Sequence, residues 1–166
     1  YARRSADGMW SDAEEMPGSG PSTDAYPAIA AYGAGNAYVV WEHLASGTYN
    51  EYILFAQRAL TGTWSRPERI DASSDATQGK PAIGVDDAGT AYVLWQDRRD
   101  GHVEIYFSHR PLTGTWASSV RVSEPAADTD HTLPAIDVDS SGHAYAVFQE
   151  RYEESWLVSY HNIYFA

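Results

Sequence analysis

The sequence predicts an all-β fold built from three copies of one four-stranded antiparallel unit. Pro-Ala-Ile begins at Pro27, Pro81 and Pro134, so the unit repeats after 54 and then 53 residues. Apolar and polar residues alternate over short runs that end in turn residues, and aromatic and β-branched residues are dense in these runs. No stretch has the 3.6-residue apolar periodicity of a helix, so we expect sheets alone.

The second copy shows the strands of the unit most clearly. Asp86-Asp87-Ala88-Gly89 is the short polar turn, ending in glycine, that joins the first two strands as a hairpin. Gly114 marks the turn between the last two strands. We predict the four strands at 80–85, 90–95, 103–109 and 115–122.

The other copies carry the same side chains in the same order. Ala-Tyr lies ten residues after each of the three prolines, and the third strand reads Ile-Leu-Phe or Ile-Tyr-Phe. A large aromatic residue closes the second strand in each copy, at Trp41, Trp95 and Phe148. Gly-Thr-Trp opens the fourth strand in the first two copies. The third copy has no such strand after Phe165, and its counterpart, Gly-Met-Trp, lies within residues 1–16.

A unit of this length with four short strands is typical of a β-propeller blade, whereas a β-sandwich, the alternative, needs no repeat. We therefore predict a single half-propeller over residues 1–166. Propellers have about four to eight blades, so we expect two copies of the chain to close a six-bladed ring as a homodimer. The chain as a piece of a longer propeller is the other explanation. The predicted repeats are 27–80, 81–133 and 134–166, the last completed by the strand at 1–16.

Composition excludes several classes of function. Eleven basic and 23 acidic side chains give a net charge of −12, which argues against a nucleic-acid partner. Cysteine is absent, the six histidines lack zinc-type spacing, and the calcium-loop-like stretch from Asp137 has Phe148 where a glutamate ligand is needed. We expect no metal, no cofactor and no membrane span, and we find no signal peptide.

Ser5-Ala6-Asp7-Gly8-Met9-Trp10 forms the tip of a hairpin predicted for residues 1–16. This Ser-x-Asp-Gly-x-Trp sequence resembles the Asp-box, or BNR repeat, of sialidase-like six-bladed propellers. Residues 60–64 and 112–116 are versions of it without the aspartate. The resemblance implies a propeller fold, a structural role for these turns, and a secreted or extracytoplasmic location.

Strand order places the candidate binding face. In an up-and-down blade, the second-to-third strand loops and the blade-to-blade connections lie on one face, which the Asp-box turns do not share. The second-to-third loop, from Gln149 to His161, is longest in the third copy because residues 151–156 form an insertion. Its Trp156 is placed either to stack on a sugar ring or to cover the open blade or the subunit seam.

The candidate ligand-binding residues lie on this face, at the starts of the inner strands and in the loops. Those on the inner strands differ between copies while the framework repeats, as the side chains of a binding surface do. They are Asp24, Tyr26, Glu42, His43, Gln78, Lys80, Asp97, Arg98, His131, Gln149, Arg151, Tyr152 and Trp156.

The chemistry of these residues favours binding over catalysis. A sialidase needs an arginine cluster, a tyrosine–glutamate nucleophile and an acidic general acid/base. Residues of these types occur on the candidate face, but no motif arranges them; they are Arg98, Arg99, Arg151, Asp97, Glu42, Glu150 and Tyr152. Glu42, Asp97 and Glu150 lie near the starts of equivalent loops, which blade duplication explains as simply as acid/base chemistry does. We predict no catalytic residues and a noncatalytic module that recognises glycans or other extracellular ligands. The alternatives are a sialidase-like glycoside hydrolase and a fragment or scaffold without its own ligand.

Overall fold

The structure is a computed structural model that describes residues 1–18, 23–33, 35–44, 46–47, 50–60, 62–72, 74–124, 129–155 and 158–166. Within these ranges the chain forms eleven strands and no helix. Sheet 1 contains β1 (Thr23–Tyr32), β2 (Asn36–Leu44), β3 (Glu51–Arg58) and β4 (Glu68–Arg69). Sheet 2 contains β5 (Gln78–Val85), β6 (Ala91–Asp97), β7 (Glu104–Arg110) and β8 (Val120–Arg121). Sheet 3 contains β9 (Thr129–Val138), β10 (Ala144–Ser155) and β11 (Val158–Phe165).

The predicted all-β class and the antiparallel order of the strands are confirmed. In each sheet neighbouring strands follow one another along the chain, as in an up-and-down blade. The first strands lie side by side, because β1 contacts β5 and β5 contacts β9. In the described part of the chain, no strand pairs with the second edge of β11, and the three sheets do not close a ring. The six-bladed homodimer therefore stays a prediction.

A β-bulge explains why proline and a large aromatic residue recur together. Tyr26 and Pro27 on β1 both lie opposite Trp41 on β2. The other two sheets repeat this arrangement, with Lys80-Pro81 opposite Trp95 and Leu133-Pro134 opposite Phe148. Proline has no N–H to give to a β-ladder, and a bulge is a place where the ladder is already interrupted. The repeated Pro-Ala-Ile thus fixes one bulge in the first strand of each sheet.

The middle strands of sheets 1 and 2 are buried on both faces, because each of these sheets packs between two neighbours. In sheet 3 one face of β10 is open, with Tyr145 and Val147 46% and 40% exposed. On β2, Tyr38 and Val40 face sheet 2, where they form a core cluster with Trp95 of β6. Val39 and Trp41 point the other way, toward the N-terminal segment (residues 1–16). All four of these β2 side chains are buried. A second cluster, centred on Leu94, Ile105, Ala146 and Phe148, joins sheets 2 and 3.

Two predicted elements differ from the structure. The fourth strands are shorter than predicted. In sheet 2, for example, β8 covers only Val120–Arg121, whereas the sequence predicts 115–122. Outside β8 the segment stays beside β7 through single contacts: Ser108 Oγ donates to the carbonyl oxygen of Ala117, and the Ala117 N–H donates to the His109 carbonyl at 2.9 Å. The prediction of a long loop from Gln149 to His161 is wrong, because these residues belong mostly to strands. The inserted residues lengthen β10 and β11 into a hairpin, in which Arg151 pairs with His161 and Tyr152 with Tyr160.

The N-terminal segment forms the hairpin that the sequence predicts. Arg4 and Trp10 pair as a β-bridge, and the backbone N–H of Ser11 donates to the Arg3 carbonyl at 2.8 Å. Met16 packs against the core cluster on the outer face of sheet 1. In the single chain this segment therefore covers sheet 1 and is not part of sheet 3.

Candidate functional site

Sheets 1 and 2 form a cleft of about 260 Å³ on the face that carries the second-to-third strand loops. We call it the sheet 1–2 cleft. It brings together four candidates that the sequence identifies: Tyr26, Glu42, Lys80 and Arg98. The remaining lining residues are Glu51, Thr77, Gly79, Gln96 and Val103.

The bulges place two of these side chains by means of an uncommon backbone conformation. Tyr26 and Lys80 have φ angles of 49° and 47°, in the left-handed region that residues other than glycine seldom adopt. Leu133, at the same position of sheet 3, has a φ of 53°. Such strain persists only where the surrounding structure enforces it, and it occurs often at binding sites. Here the bulge turns each side chain out of the strand toward the rim of the cleft.

The aromatic and cationic side chains of the cleft contact each other across the two sheets. The Lys80 ammonium lies 5.6 Å from the centre of the Tyr26 ring, within the range of a cation–π interaction. Tyr26 is 53% exposed, so this residue is accessible to a ligand from the solvent.

Glu42 is the most chemically distinct group of the cleft. Burial raises the pKa of its carboxyl, the charge of Glu51 adds to the increase, and the Lys80 N–H and ammonium oppose it. The Lys80 N–H donates to Glu42 Oε2 at 3.2 Å. Gly79 permits this approach, because a Cβ at that position would collide with the same carboxylate oxygen. Glu42 therefore both joins the two sheets and points an acidic group into the cleft.

Gln96 is a cleft residue that the sequence reasoning did not select. It repeats the role of Glu42 one sheet further on, since its Oε1 accepts the Leu133 N–H at 3.1 Å. Its position directly after Trp95, like that of Glu42 after Trp41, was a signal that could have identified it. Glu51 and Val103 had no such signal, because they reach the cleft from the far ends of loops.

Gln78 and Asp97 lie beneath the cleft and not within it. Both side chains have no exposed surface, and Gln78 Nε2 donates to Asp97 Oδ2 at 3.1 Å. Asp97 also accepts hydrogen bonds from Trp95 Nε1 at 3.1 Å and from Arg99 Nη2 at 2.6 Å. In this structure neither side chain is accessible to a ligand. Their role as ligand contacts is therefore not supported by the geometry of the cleft and stays a prediction.

The two candidate histidines also make contacts within the protein. His43 Nδ1 lies 2.7 Å from Asp24 Oδ1 on sheet 1. His131 on sheet 3 is 3% exposed, and its Nδ1 lies 2.9 Å from Glu104 Oε2 of sheet 2. Neither histidine lines the sheet 1–2 cleft.

The candidates on sheet 3 are separate from the cleft. The Gln149 amide contacts the His161 ring, and Arg151 and Tyr152 are exposed on the extended β10–β11 hairpin. Trp156 lies outside the described residues.

A second cavity, of about 240 Å³, lies between the N-terminal segment and sheet 1. Tyr1, Met16, Val39 and Trp41 line it, together with Asp24. Its walls are mainly apolar side chains, and we interpret it as an imperfectly filled packing seam. Among the described residues, no group of three or more His, Asp or Glu side chains is arranged to hold a metal ion. No helix long and apolar enough to cross a membrane occurs in the same residues.

Comparison with known proteins gives similarity of fold alone. No protein-family model and no curated protein matches the chain. A protein of unknown function from Dyadobacter fermentans DSM 18053 superposes with a TM-score of 0.60 at 13% identity, covering 87% of this chain and 51% of that one. A GH43 endo-arabinanase from Bacillus licheniformis, a five-bladed β-propeller, superposes with a TM-score of 0.53 at 14% identity, covering 97% of this chain and 61% of that one. The chain thus has a propeller-like fold and spans little more than half the length of these structures.

Proposed function

We propose that this protein is a noncatalytic recognition module that binds a glycan in the sheet 1–2 cleft. The observation that carries the proposal is the convergence of Tyr26 with the polar groups of Glu42, Lys80, Gln96 and Arg98 on one cleft. Aromatic rings stack on the apolar face of a sugar, while carboxylates, amides and cations exchange hydrogen bonds with its hydroxyls.

The size and charge of the cleft define the ligand further. Clefts that enclose a whole small molecule measure about 300–1,000 Å³, so a volume of about 260 Å³ suits one sugar residue of a longer glycan. Two carboxylates, Glu42 and Glu51, balance the charges of Lys80 and Arg98. This balance favours an uncharged sugar residue over an acidic one.

The resemblance to Asp-box propellers belongs to the same proposal. Asp7 accepts the Met9 N–H at 3.2 Å, and Ser5 Oγ donates to the Met9 carbonyl at 3.0 Å, so this aspartate and this serine close the turn between them. We propose a structural role for this turn, an extracellular location, and a ring completed by a second copy of the chain. These extend beyond the fold that the comparisons support.

A glycan array followed by calorimetric titration tests the binding proposal. We expect binding to oligosaccharides that expose a neutral sugar residue, and about a tenfold loss of affinity in Tyr26→Ala, because the stacking surface is removed. Tyr145→Ala is the matched control, since Tyr145 is 46% exposed on sheet 3 and lies outside the cleft. Equal affinity of the Tyr26 variant and the original protein would refute the proposed site. If no glycan on the array binds, the result would favour a scaffold without a ligand of its own.

A glycoside hydrolase is the second candidate, favoured by the raised pKa of Glu42 and its proximity to Glu51. A carboxyl that remains protonated at higher pH is suited to act as a general acid. The endo-arabinanase similarity makes arabinan a reasonable first polymer, followed by fluorogenic glycosides. Turnover that Glu42→Gln abolishes, with glycan affinity retained, would establish the enzyme. We expect no turnover by the original protein.

A further inference from the structure

A contact between arginine, tryptophan, glutamate and an aromatic ring joins sheet 2 to sheet 1 on the outer side. Arg110 Nη1 forms an ion pair with Glu68 of β4, and Trp116 Nε1 donates to Glu68 Oε1 at 3.1 Å. The Trp116 ring packs edge-on against Phe55 at 5.1 Å, and the Arg110 guanidinium lies 5.1 Å from the centre of the Phe55 ring. We call this four-residue contact the outer latch.

The same latch joins sheet 1 to the N-terminal segment. Arg58 pairs with Glu14, and Trp64 Nε1 donates to Glu14 Oε1 at 2.9 Å. Tyr1 takes the place of Phe55, with its ring 5.0 Å from Trp64 and 5.1 Å from the Arg58 guanidinium. The N-terminal segment therefore accepts the Arg–Trp contact from sheet 1 in the same way that β3 and β4 accept it from sheet 2.

Backbone pairing shows that the N-terminal segment has the form of the outer half of a blade. The Ser11 N–H donates to the Arg3 carbonyl, as the Ser65 N–H donates to Gln57, both at 2.8 Å. In this register Arg4 and Trp10 correspond to Arg58 and Trp64, the two donors of an outer latch. Yet Trp10 is 67% exposed, and neither residue forms such a latch in the described part of the chain.

The two positions that would face the donors of a third latch lie on sheet 2, on the side toward sheet 3. Phe107 pairs with Val120 between β7 and β8, as Phe55 pairs with Glu68 between β3 and β4. Val120 is 54% exposed. An outer strand that carries Arg and Trp onto these two residues would lie beside the second edge of β11, which no described strand covers. The chain's own N-terminal segment is held on sheet 1, and a second copy of the chain offers the same segment with Arg4 and Trp10 available.

An independent contact on the inner side points to the same partner. The side chains of Glu42 and Gln96 accept the N–H groups of Lys80 and Leu133, the bulge residues of the following sheets. Gln149 has the same position in sheet 3, directly after Phe148. In the repeat, the donor that matches Gln149 is the N–H of the bulge residue in the next sheet. Tyr26 of sheet 1 in a second copy of this chain is such a residue.

Building on the two-copy ring of the proposed function, we propose that a second copy of this chain adds its N-terminal segment to sheet 3, where it forms the end of the third strand and the fourth strand. Its Trp10 then lies on Phe107 and its Arg4 beside Val120. A two-fold axis repeats this contact, so that each copy adds its N-terminal segment to sheet 3 of the other and two new outer latches form. The N-terminal segment keeps its present contacts with its own sheet 1. Because Tyr1 and Phe165 hold the same position in the repeat, Tyr1 of the second copy displaces Phe165, which is 70% exposed here.

Val120 makes the proposal testable, because it replaces the glutamate of the other two latches. We expect the chain to form a reversible dimer of twice 18.3 kDa in sedimentation equilibrium. Val120→Glu should lower the dimer dissociation constant about tenfold, since it supplies the missing acceptor for Arg4 and Trp10. Combining it with Arg4→Ala should remove most of that gain. Trp10→Ala alone should raise the dissociation constant about thirtyfold.

The controls separate this seam from folding and from ligand binding. Val120→Thr replaces one methyl group with a hydroxyl and adds no carboxylate, so it should not lower the dissociation constant as Val120→Glu does. Arg3→Ala changes the neighbouring exposed arginine and should not cancel the gain from Val120→Glu as Arg4→Ala does. Trp10→Ala should leave the unfolding transition of the monomer unchanged, because the side chain is exposed. Glycan affinity should also survive, since both walls of the sheet 1–2 cleft belong to one chain. A monomer at all concentrations to the millimolar range, or a dimer indifferent to Trp10 and Val120, would overturn the proposal.

Discussion

Asp97 and Arg98 are neighbours in sequence with opposite surroundings. Asp97 is the last residue of β6, is fully buried, and accepts hydrogen bonds from Trp95, Gln78 and Arg99. Arg98 lies in the sheet 1–2 cleft. Alternation along a strand predicts that neighbours face opposite sides, but it does not say which side is filled. The donors that surround Asp97 come from three positions in the chain, so its burial was not readable from the sequence.

We expect Asp97→Ala to lower the free energy of unfolding by about 3 kcal/mol, because it leaves buried donors on Trp95 and Gln78 without an acceptor and weakens the support of Arg99. Urea unfolding followed by tryptophan fluorescence measures this loss. Asp87→Ala, at an exposed position of the β5–β6 turn, is the control and should change stability by no more than about 0.5 kcal/mol. Similar stabilities of the two variants would contradict the structural role of Asp97.

The first hairpins of sheets 2 and 3 are closed by an aspartate in the same way. Asp86 Oδ1 accepts the Thr90 N–H at 2.8 Å, and Asp139 Oδ1 accepts the His143 N–H at 2.9 Å. Burial alone would raise the pKa of Asp86, but hydrogen bonds from Thr90 and Tyr92 outweigh it and hold the pKa below its ordinary value. The ionised carboxylate is therefore the form that stabilises the turn.

This geometry predicts the direction of a pH effect on stability. A carboxyl with a lower pKa in the folded state adds stability above its unfolded pKa, about 4, and that stability is lost as the pH falls through the folded value. Asp86→Asn should therefore lower the free energy of unfolding by about 1 kcal/mol at pH 7, and the difference should shrink toward zero below about pH 4. Urea unfolding at several pH values measures it, with Asp87→Asn as control. A difference that stays constant with pH would show that charge has no part in the turn.

The strands themselves divide into those that the repeat predicts and those that depend on local pairing. The first three strands of each sheet follow from Pro-Ala-Ile, Ala-Tyr and the Ile-x-Phe motif. The fourth strands are shorter than alternation predicts, and in sheet 1 Pro67 stands directly before β4 and has no N–H for a ladder. The insertion in the third copy gives no sequence signal for a strand, because length alone does not distinguish a loop from a longer hairpin. The backbone register of β10 and β11, in which Arg151 pairs with His161, shows the hairpin.

At the scale of the whole molecule, the sequence repeat predicts the sheets. The candidate binding site, by contrast, lies in the cleft between two sheets. Tyr26, Glu42, Lys80 and Arg98 were identifiable because the rule of strand order assigns them to one face, and the structure places them in one cleft. Gln96 and Glu51 were missed because a cleft between two sheets draws on both, and a single repeat does not show which neighbours meet. The number of blades in a ring is likewise not a property of one blade, since it depends on what covers the free edge of sheet 3.

The three left-handed residues that precede the repeated prolines have a practical consequence for engineering. Tyr26, Lys80 and Leu133 differ completely in side chain yet share one backbone geometry. The framework therefore already accepts a phenol, an amine and an alkyl group at the same site, and none of the three side chains is fully enclosed. A combinatorial library randomised at these three positions would therefore vary the chemistry of the exposed surface while leaving the core unchanged.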